Sequence, residues 1–435
     1  MRPTGRALGL LGVGLVVAAV PTVADEAGWW PVWVGWLGVV AIAMVVDFAL
    51  LPLRRQLQVA VEAPAAMPIG GTGSLRLVGT ATRRATVDLR LELLGPASPL
   101  PPVQLALSPA GPAVAEVALA PTRRGQLRLV AVHLRWRGPL GLWWAEAVQA
   151  ESALVRVTAD VHGVRQRVAR LVQNRDFHAG LKPERFLGDG SDFDSLREFV
   201  VGMDRRAIDW KATARHREVL CREFRAERDH PVMLCLDTGR LMGEPLAGLP
   251  RLDHAIHAAL QLAHVCLRTG DRVGCYAFAE APSRCSLPQA GMPALAAIQQ
   301  RLVTLEYGDG ETNFTLAMTD LLQQLRRRTL VVLFTDFVDS VTAELMLRNV
   351  QWLARRHLLL FVALRDPLLG QLAAKPLDSI EDLHRAVVAE EIQRERRLVL
   401  ERIRAAGALV LDAEAAELER GLVHQYLQVK RRELL

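Results

Sequence analysis

Val232-Met233-Leu234-Cys235-Leu236 runs without a charged residue and ends on Asp237-Thr238-Gly239. A short, unbroken apolar run that stops at a carboxylate reads as a strand buried on both faces. Four similar runs follow, at 273–279, 330–334, 358–363 and 408–411. Stretches of helical character lie between them, near 251–269, 292–304, 314–327, 341–355 and 381–406. Strand and helix in alternation predict an α/β domain over residues 230–435, a doubly wound parallel sheet covered on both faces. Ligand sites on such sheets lie past the carboxyl ends of the strands. That rule selects Asp237, the loop holding Thr312, and Asp336.

Upstream, the pattern changes twice. Residues 156–180 carry Val161, Val164, Val168 and Leu171 at helix spacing. The stretch from Lys182 to Asp229 is the most charge-dense of the chain, with acids and bases near balance. A nucleic-acid groove would be one-signed and interleaved with aromatics, so that partner is not expected. Residues 156–229 therefore form a helix plus a mixed-charge segment. Residues 56–155 alternate with the period of strands, as in Gln56-Leu57-Gln58-Val59-Ala60-Val61 and Val87-Asp88-Leu89-Arg90-Leu91-Glu92. Pro, Gly and Ser punctuate them, which predicts a small β-sandwich-like module without a catalytic constellation.

The 435 residues allow two or three domains. Hydrophobic residues make up 51% and charged ones 23%, at a mean hydropathy of +0.16. This excludes a disordered chain, and the clustering of long apolar runs near the N-terminus excludes a multi-span transporter. The net charge of +6 rests on arginine, since only four lysines occur. Five cysteines without a CxxC spacing argue against a disulfide framework and a zinc ribbon. Cys235 and Cys275 read as small core residues. His254, His257 and His264 share a helical stretch but lie among Ala, Leu and Ile, so packing is favoured over zinc. No GxSxG, P-loop or GxGxxG is present.

Residues 7–24 and 28–53 are apolar, with Arg2 and Arg6 before the first run and Arg54 and Arg55 after the second. Asp25 and Glu26 sit in the link. A crossing needs about 20 apolar residues, so residues 1–55 predict a transmembrane hairpin with both ends cytoplasmic. Its rival is a cleaved signal peptide ending at Thr22-Val23-Ala24. Either reading leaves residues 56–435 in the cytoplasm, tethered to the bilayer through residues 7–53. Trp29, Trp30, Trp33 and Trp36 are expected as an interfacial belt in preference to a ligand site. Asp47, inside the second run, is expected either to pair with a cation or to mark a helix–helix contact.

Asp237-Thr238-Gly239-Arg240-Leu241-Met242, Gly308-Asp309-Gly310-Glu311-Thr312-Asn313 and Phe334-Thr335-Asp336 together resemble the von Willebrand factor A fold. That fold's Mg²⁺ site uses DxSxS, a loop Thr and a later Asp. The resemblance implies Asp237, Thr312 and Asp336 as metal ligands. Gly239 and Leu241 stand where the two serines would be, leaving a degenerate site with Thr238 as a substitute donor. The competing reading has Asp237 and Asp336 capping helices or loops.

Phe186 to Phe193, then Leu196-Arg197-Glu198-Phe199, then Asp204 to Arg215 are similar to the signature of domain-of-unknown-function family 58. The resemblance spans the whole architecture and implies bacterial inner-membrane proteins with a von Willebrand A-like domain, encoded beside MoxR-type AAA+ ATPases. The family usually carries Glu where Asp192 stands and Gly-Asp where Met203-Asp204 stands. Asp192, Arg197, Asp204, Arg206, Asp209, Trp210 and Arg215 form the candidate partner face. Asp209 is expected to cap a helix starting at Trp210. Trp and Arg suit an interface, yet Trp210 packed under the sheet and arginines bridging Asp192 and Asp209 fit the same residues. The expected function is an adaptor for such an ATPase, with no catalytic residues of its own. A divalent-metal enzyme using Asp237 and Asp336, and a scaffold for envelope assembly, are the alternatives.

Overall fold

The computed structural model describes all residues except 25–29, 72, 96, 174–186, 201–207, 217, 226–229, 338–339, 377, 433 and 435. It divides into two units, Met1–Thr158 and Ala159–Leu435.

The first unit opens with strand β1 (Arg2–Pro3), helix α1 (Gly5–Ala24) and helix α2 (Trp30–Leu50). The helices run antiparallel and are joined by indoles. Trp33 Nε1 donates to the Gly14 carbonyl at 3.0 Å and Trp36 Nε1 to the Leu10 carbonyl at 3.3 Å. Trp30 meets Trp33 edge to face, and Trp29 lies outside the described residues. Trp33 and Trp36 thus fasten one helix to the other. Among the described residues, Trp30–Leu50 is the one helix long and apolar enough to cross a membrane.

Nine strands follow: β2 (Leu57–Glu62), β3 (Ala66–Pro68), β4 (Gly73–Ala81), β5 (Ala85–Leu94), β6 (Val103–Leu107), β7 (Ala113–Leu119), β8 (Gly125–Arg137), β9 (Trp143–Ala150) and β10 (Leu154–Thr158). One sheet has the order β1-β9-β8-β10-β3, with β5 on β8 and β6 on β5; the other is β2-β4-β7. Alternation buries one face of each, including Leu75, Leu77, Val87, Leu89, Leu105 and Leu107. A Cβ on Gly79 of β4 would collide with Leu105 and Leu107 of β6, so the two sheets meet there.

Among the described residues Asp47 pairs with neither a cation nor a second helix. Its carboxylate accepts the backbone N–H of Leu140 at 2.7 Å, of Leu142 at 2.7 Å and of Trp143 at 3.0 Å. It caps the β8–β9 turn from the end of α2. Trp143 Nε1 donates to the Met44 carbonyl and Trp136 Nε1 to the Pro52 carbonyl, completing the joint.

The second unit begins with α3 (Val161–Gln173), then β11 (Leu187–Glu198), α4 (Trp210–His216) and β12 (Leu220–Arg225). β11 and β12 pair antiparallel in a separate two-stranded sheet. The main sheet uses β13 (Pro231–Asp237), β14 (Arg272–Phe278), β15 (Pro282–Gln289), β16 (Leu330–Phe334), β17 (Leu358–Leu364) and β18 (Leu409–Ala413). Their order is β15-β14-β13-β16-β17-β18, parallel except for β15. The helices between and after them are α5 (Arg251–Arg268), α6 (Met292–Val303), α7 (Phe314–Gln324), α8 (Ser340–Ala354), α9 (Pro367–Ala374), α10 (Ile380–Ala405) and α11 (Ala415–Arg431).

Alternate strand residues serve opposite cores. Val232, Leu234 and Leu236 join α3, α5, α6 and α11, whereas Met233 and Cys235 join α7, α8 and the end of α10. Both faces are covered, which is why these strands are continuous apolar runs. β13 is followed in sequence by a neighbour on one side, β14, and later by a neighbour on the other, β16. That reversal puts the switch point, where such sheets hold their sites, at the ends of β13 and β16.

Candidate functional site: the carboxylates at the sheet's switch point

β13 ends on Asp237 and β16 is followed directly by Thr335-Asp336. The loop before α7 folds across this edge, with Gly308 N–H donating to the Thr238 carbonyl and Arg240 N–H to the Gly310 carbonyl. It delivers Thr312, and Asn313 then caps α7 by accepting from Leu316 N–H at 3.0 Å. Thr312 Oγ1 donates to Asp237 Oδ1 at 2.6 Å, and Gly239 N–H reaches the same oxygen at 2.8 Å. Thr335 Oγ1 donates to Oδ2 at 2.6 Å. Burial pushes the Asp237 carboxyl up from its ordinary value; these three donors pull it down, and the Asp336 charge adds to the rise.

Asp336 has a different shell. It is paired with Arg251 from the start of α5 and with Arg396 of α10, the latter at 2.8 Å. Arg396 also donates to Asp412, near the end of β18, at 3.0 Å and to the Leu364 carbonyl at 3.0 Å. Burial works against the Arg396 charge, yet Asp336 and Asp412 outweigh it and raise its pKa, so it stays cationic. A cavity of about 490 Å³ opens beside these groups, lined by Leu241, Arg251, Asp336, Leu364, Arg396 and Asp412 among others.

Asp237 and Thr312 are therefore brought together as the von Willebrand A resemblance implies, and Asp336 stands at the same edge. The donor set does not suit a divalent cation. Each Asp237 oxygen already accepts a hydroxyl, and two guanidinium groups stand on Asp336 where positive charge would go. Thr238 turns its hydroxyl to the Phe278 carbonyl and not to this site. Gly239 is required, because a Cβ there would run into Thr312 Oγ1. Asp237 and Asp336 are only 2% and 6% exposed, so these two carboxylates offer little surface of their own. Among the described residues no group of three His, Cys, Asp or Glu side chains could hold a metal ion. His254 lies 2.8 Å from the Leu246 carbonyl and His257 accepts the Asp160 N–H, which are packing roles.

Arg251, Arg396, Thr335 and Asp412 are the residues that sequence reasoning missed. Thr335 stands beside Asp336 and was open to inspection. Arg396 lies between Glu395 and Arg397 on a helix of mixed charge, where nothing marks it as the buried one.

The partner-face candidates fall elsewhere. Asp209 accepts the N–H of Lys211 at 2.9 Å and of Ala212 at 3.1 Å, capping α4 as expected. Trp210 is 70% exposed, so it does not pack under the sheet. Arg197 and Arg215 are exposed too. α4 is strapped to β12 by Asp209 N–H on the Leu220 carbonyl and by Leu220 N–H on Thr213 Oγ1. Leu196, Val200 and Val219 in the neighbouring backbone are also exposed. Asp192 sits on β11 opposite Arg225 in backbone register. Asp204 and Arg206 lie outside the described residues.

Residues 195–408 match the family described as protein of unknown function DUF58. The chain carries a DUF58 domain. The matched region takes in Arg197, Trp210, Arg215, Asp237, Thr312 and Asp336 together. None of the curated proteins matches the sequence. Among solved structures, the conserved hypothetical protein BatB from Bacteroides thetaiotaomicron is similar at 12% identity and a TM-score of 0.30, over 46% of this chain and 98% of that one. An uncharacterized membrane spanning protein from Vibrio fischeri is similar at 12% identity and a TM-score of 0.18, over 47% and 99%. Proximal thread matrix protein 1 from the mussel byssus follows at 9% identity and a TM-score of 0.29, over 45% and 46%.

Proposed function

We propose that this DUF58 protein is a membrane-anchored adaptor that presents its α4 region to a MoxR-type AAA+ ATPase. The observation that carries the reading is Trp210, 70% exposed at the start of a capped helix that also exposes Arg215. Leaving a large indole in water forfeits its burial, and Trp with Arg are the residue types that dominate interface energetics. The ATPase itself comes from the family resemblance, and this chain has no nucleotide motif of its own. In this reading the hairpin α1–α2 holds the protein in the bacterial inner membrane, with both helices spanning and residues 56–435 in the cytoplasm. The second unit is then a von Willebrand A-like domain with a degenerate metal site. Its edge carboxylates serve as internal fastenings, which favours binding over metal-dependent chemistry.

The test is a crosslinked pull-down from native membranes, comparing wild type with Trp210→Ala and Arg215→Ala and read by mass spectrometry. The expected result is an AAA+ ATPase recovered with wild type and lost with the variants, at melting temperatures within a few degrees of one another. Its absence from the wild-type sample overturns the adaptor reading.

A further inference from the structure

We propose that the first unit holds the headgroup of an anionic phospholipid in an arginine-rich pocket beside the end of α2; the inference rests on the reading that α2 spans the membrane. The pocket measures about 910 Å³ and lies wholly within residues 1–158. Its cations are Arg6 from the first turn of α1, Arg83 and Arg84 from the β4–β5 turn, and Arg137 from the end of β8. Among the described residues the only carboxylate in its lining is Asp88. All four arginines are exposed. Among the described residues none of the four is ion-paired to a carboxylate, in contrast to the buried arginines at the sheet edge.

The shape of the surroundings selects the occupant. Leu50, the last residue of the candidate span, and Pro52 just beyond it line the same pocket, so it opens at the level where that span leaves the hydrocarbon. Val45, Val46, Phe48 and Leu50 on α2 are exposed and give acyl chains an apolar flank to follow. Trp144 forms one wall, with the guanidinium carbons of Arg135 and Arg137 each 3.9 Å from its ring centre. An amphipathic indole fixed by cations suits the interfacial zone. Guanidinium groups bind phosphate oxygens through paired N–H donors, and basic pockets at span ends are suited to anionic headgroups. A nucleic acid or acidic peptide would use the arginines but leave the apolar flank unexplained.

The full chain is reconstituted in vesicles of phosphatidylcholine with and without phosphatidylglycerol, extracted gently, and its retained lipid measured by mass spectrometry. Wild type is expected to enrich phosphatidylglycerol over phosphatidylcholine. Arg83→Gln with Arg84→Gln should lower that enrichment about thirtyfold, from about 1 kcal/mol per arginine, while Arg76→Gln, elsewhere on the module, should not. Inorganic phosphate added at extraction should leave the lipid in place. Equal enrichment in wild type and the double variant overturns the proposal. So does binding of inorganic phosphate without lipid enrichment, which makes the pocket a free oxyanion site. Failure of wild type to enter either vesicle overturns the anchor and this inference together, and is read separately by flotation.

Discussion

Arg396 donates one guanidinium N–H to Asp336 at 2.8 Å and another to Asp412 at 3.0 Å, and so ties the ends of β16 and β18 to α10. The side chains of Arg396 and Asp336 are 13% and 5% exposed. Removing one partner from such a network leaves an uncompensated buried charge. Arg396→Met is therefore expected to destabilise the second unit by about 3–5 kcal/mol, whereas a combined apolar replacement of Arg251, Asp336, Arg396 and Asp412 costs much less. Denaturant or thermal melts of the three proteins check the order. A loss under about 1 kcal/mol for Arg396→Met contradicts a fastening role.

Asp237 gives a pH signature of known sign. Its pKa is raised in the fold, so the folded chain holds a proton that the unfolded chain releases near the ordinary carboxylate value of about 3.9. The group's contribution is full below that value and is lost as pH rises through the folded pKa. Asp237→Asn keeps an acceptor for Thr312 but cannot titrate. The melting temperature of wild type relative to Asp237→Asn should therefore rise as pH falls from neutral. A constant gap, or one that narrows on acidification, refutes it. Asp237→Ala strands two hydroxyls and an amide and should cost about 1–3 kcal/mol for each group left unpaired.

The five parallel strands are legible because burial on both faces demands apolar runs, and the run at 330–334 coincides with β16. β15 is not, since an antiparallel edge strand reading Pro-Ser-Arg-Cys-Ser-Leu-Pro-Gln has neither an apolar run nor clean alternation. The meeting of Asp237 with Thr312 followed from topology. Its consequence did not, because whether a carboxylate faces a metal or an arginine depends on residues far away in sequence. Asp336 lies 85 positions from Arg251 and 60 from Arg396. Trp210 is the same kind of case, since no local pattern distinguishes a buried indole from an exposed one at the start of a short helix.

Asp47 supplies a prediction for the first unit. Its carboxylate satisfies three amides of the 138–143 turn, and a Cβ on Gly138 would collide with it. Asp47→Ala should free that turn, and hydrogen exchange at Leu140, Leu142 and Trp143 should accelerate while the sheet strands keep their protection. Gly138→Ala should produce the same local pattern through steric displacement. Unchanged exchange in both variants means that the turn is held by Thr4 and Trp143 instead.

The metal reading of this edge can be tested by restoring the full sequence pattern. Gly239→Ser with Leu241→Ser restores the DxSxS pattern in sequence, and pattern alone would predict Mg²⁺ binding. Geometry predicts otherwise. A side chain at 239 meets Thr312 Oγ1, the hydroxyl that holds Asp237, and Asp336 remains engaged by Arg251 and Arg396. The double variant should melt below wild type, and neither protein should give heat or a thermal shift with Mg²⁺ or Mn²⁺. Adding Arg251→Ala and Arg396→Ala removes the competing cations, so this is the background in which an ion has an electrostatic reason to bind Asp336. Metal binding by wild type itself would show that the arginines give way, and would return Asp237, Thr312 and Asp336 to the role of ligands.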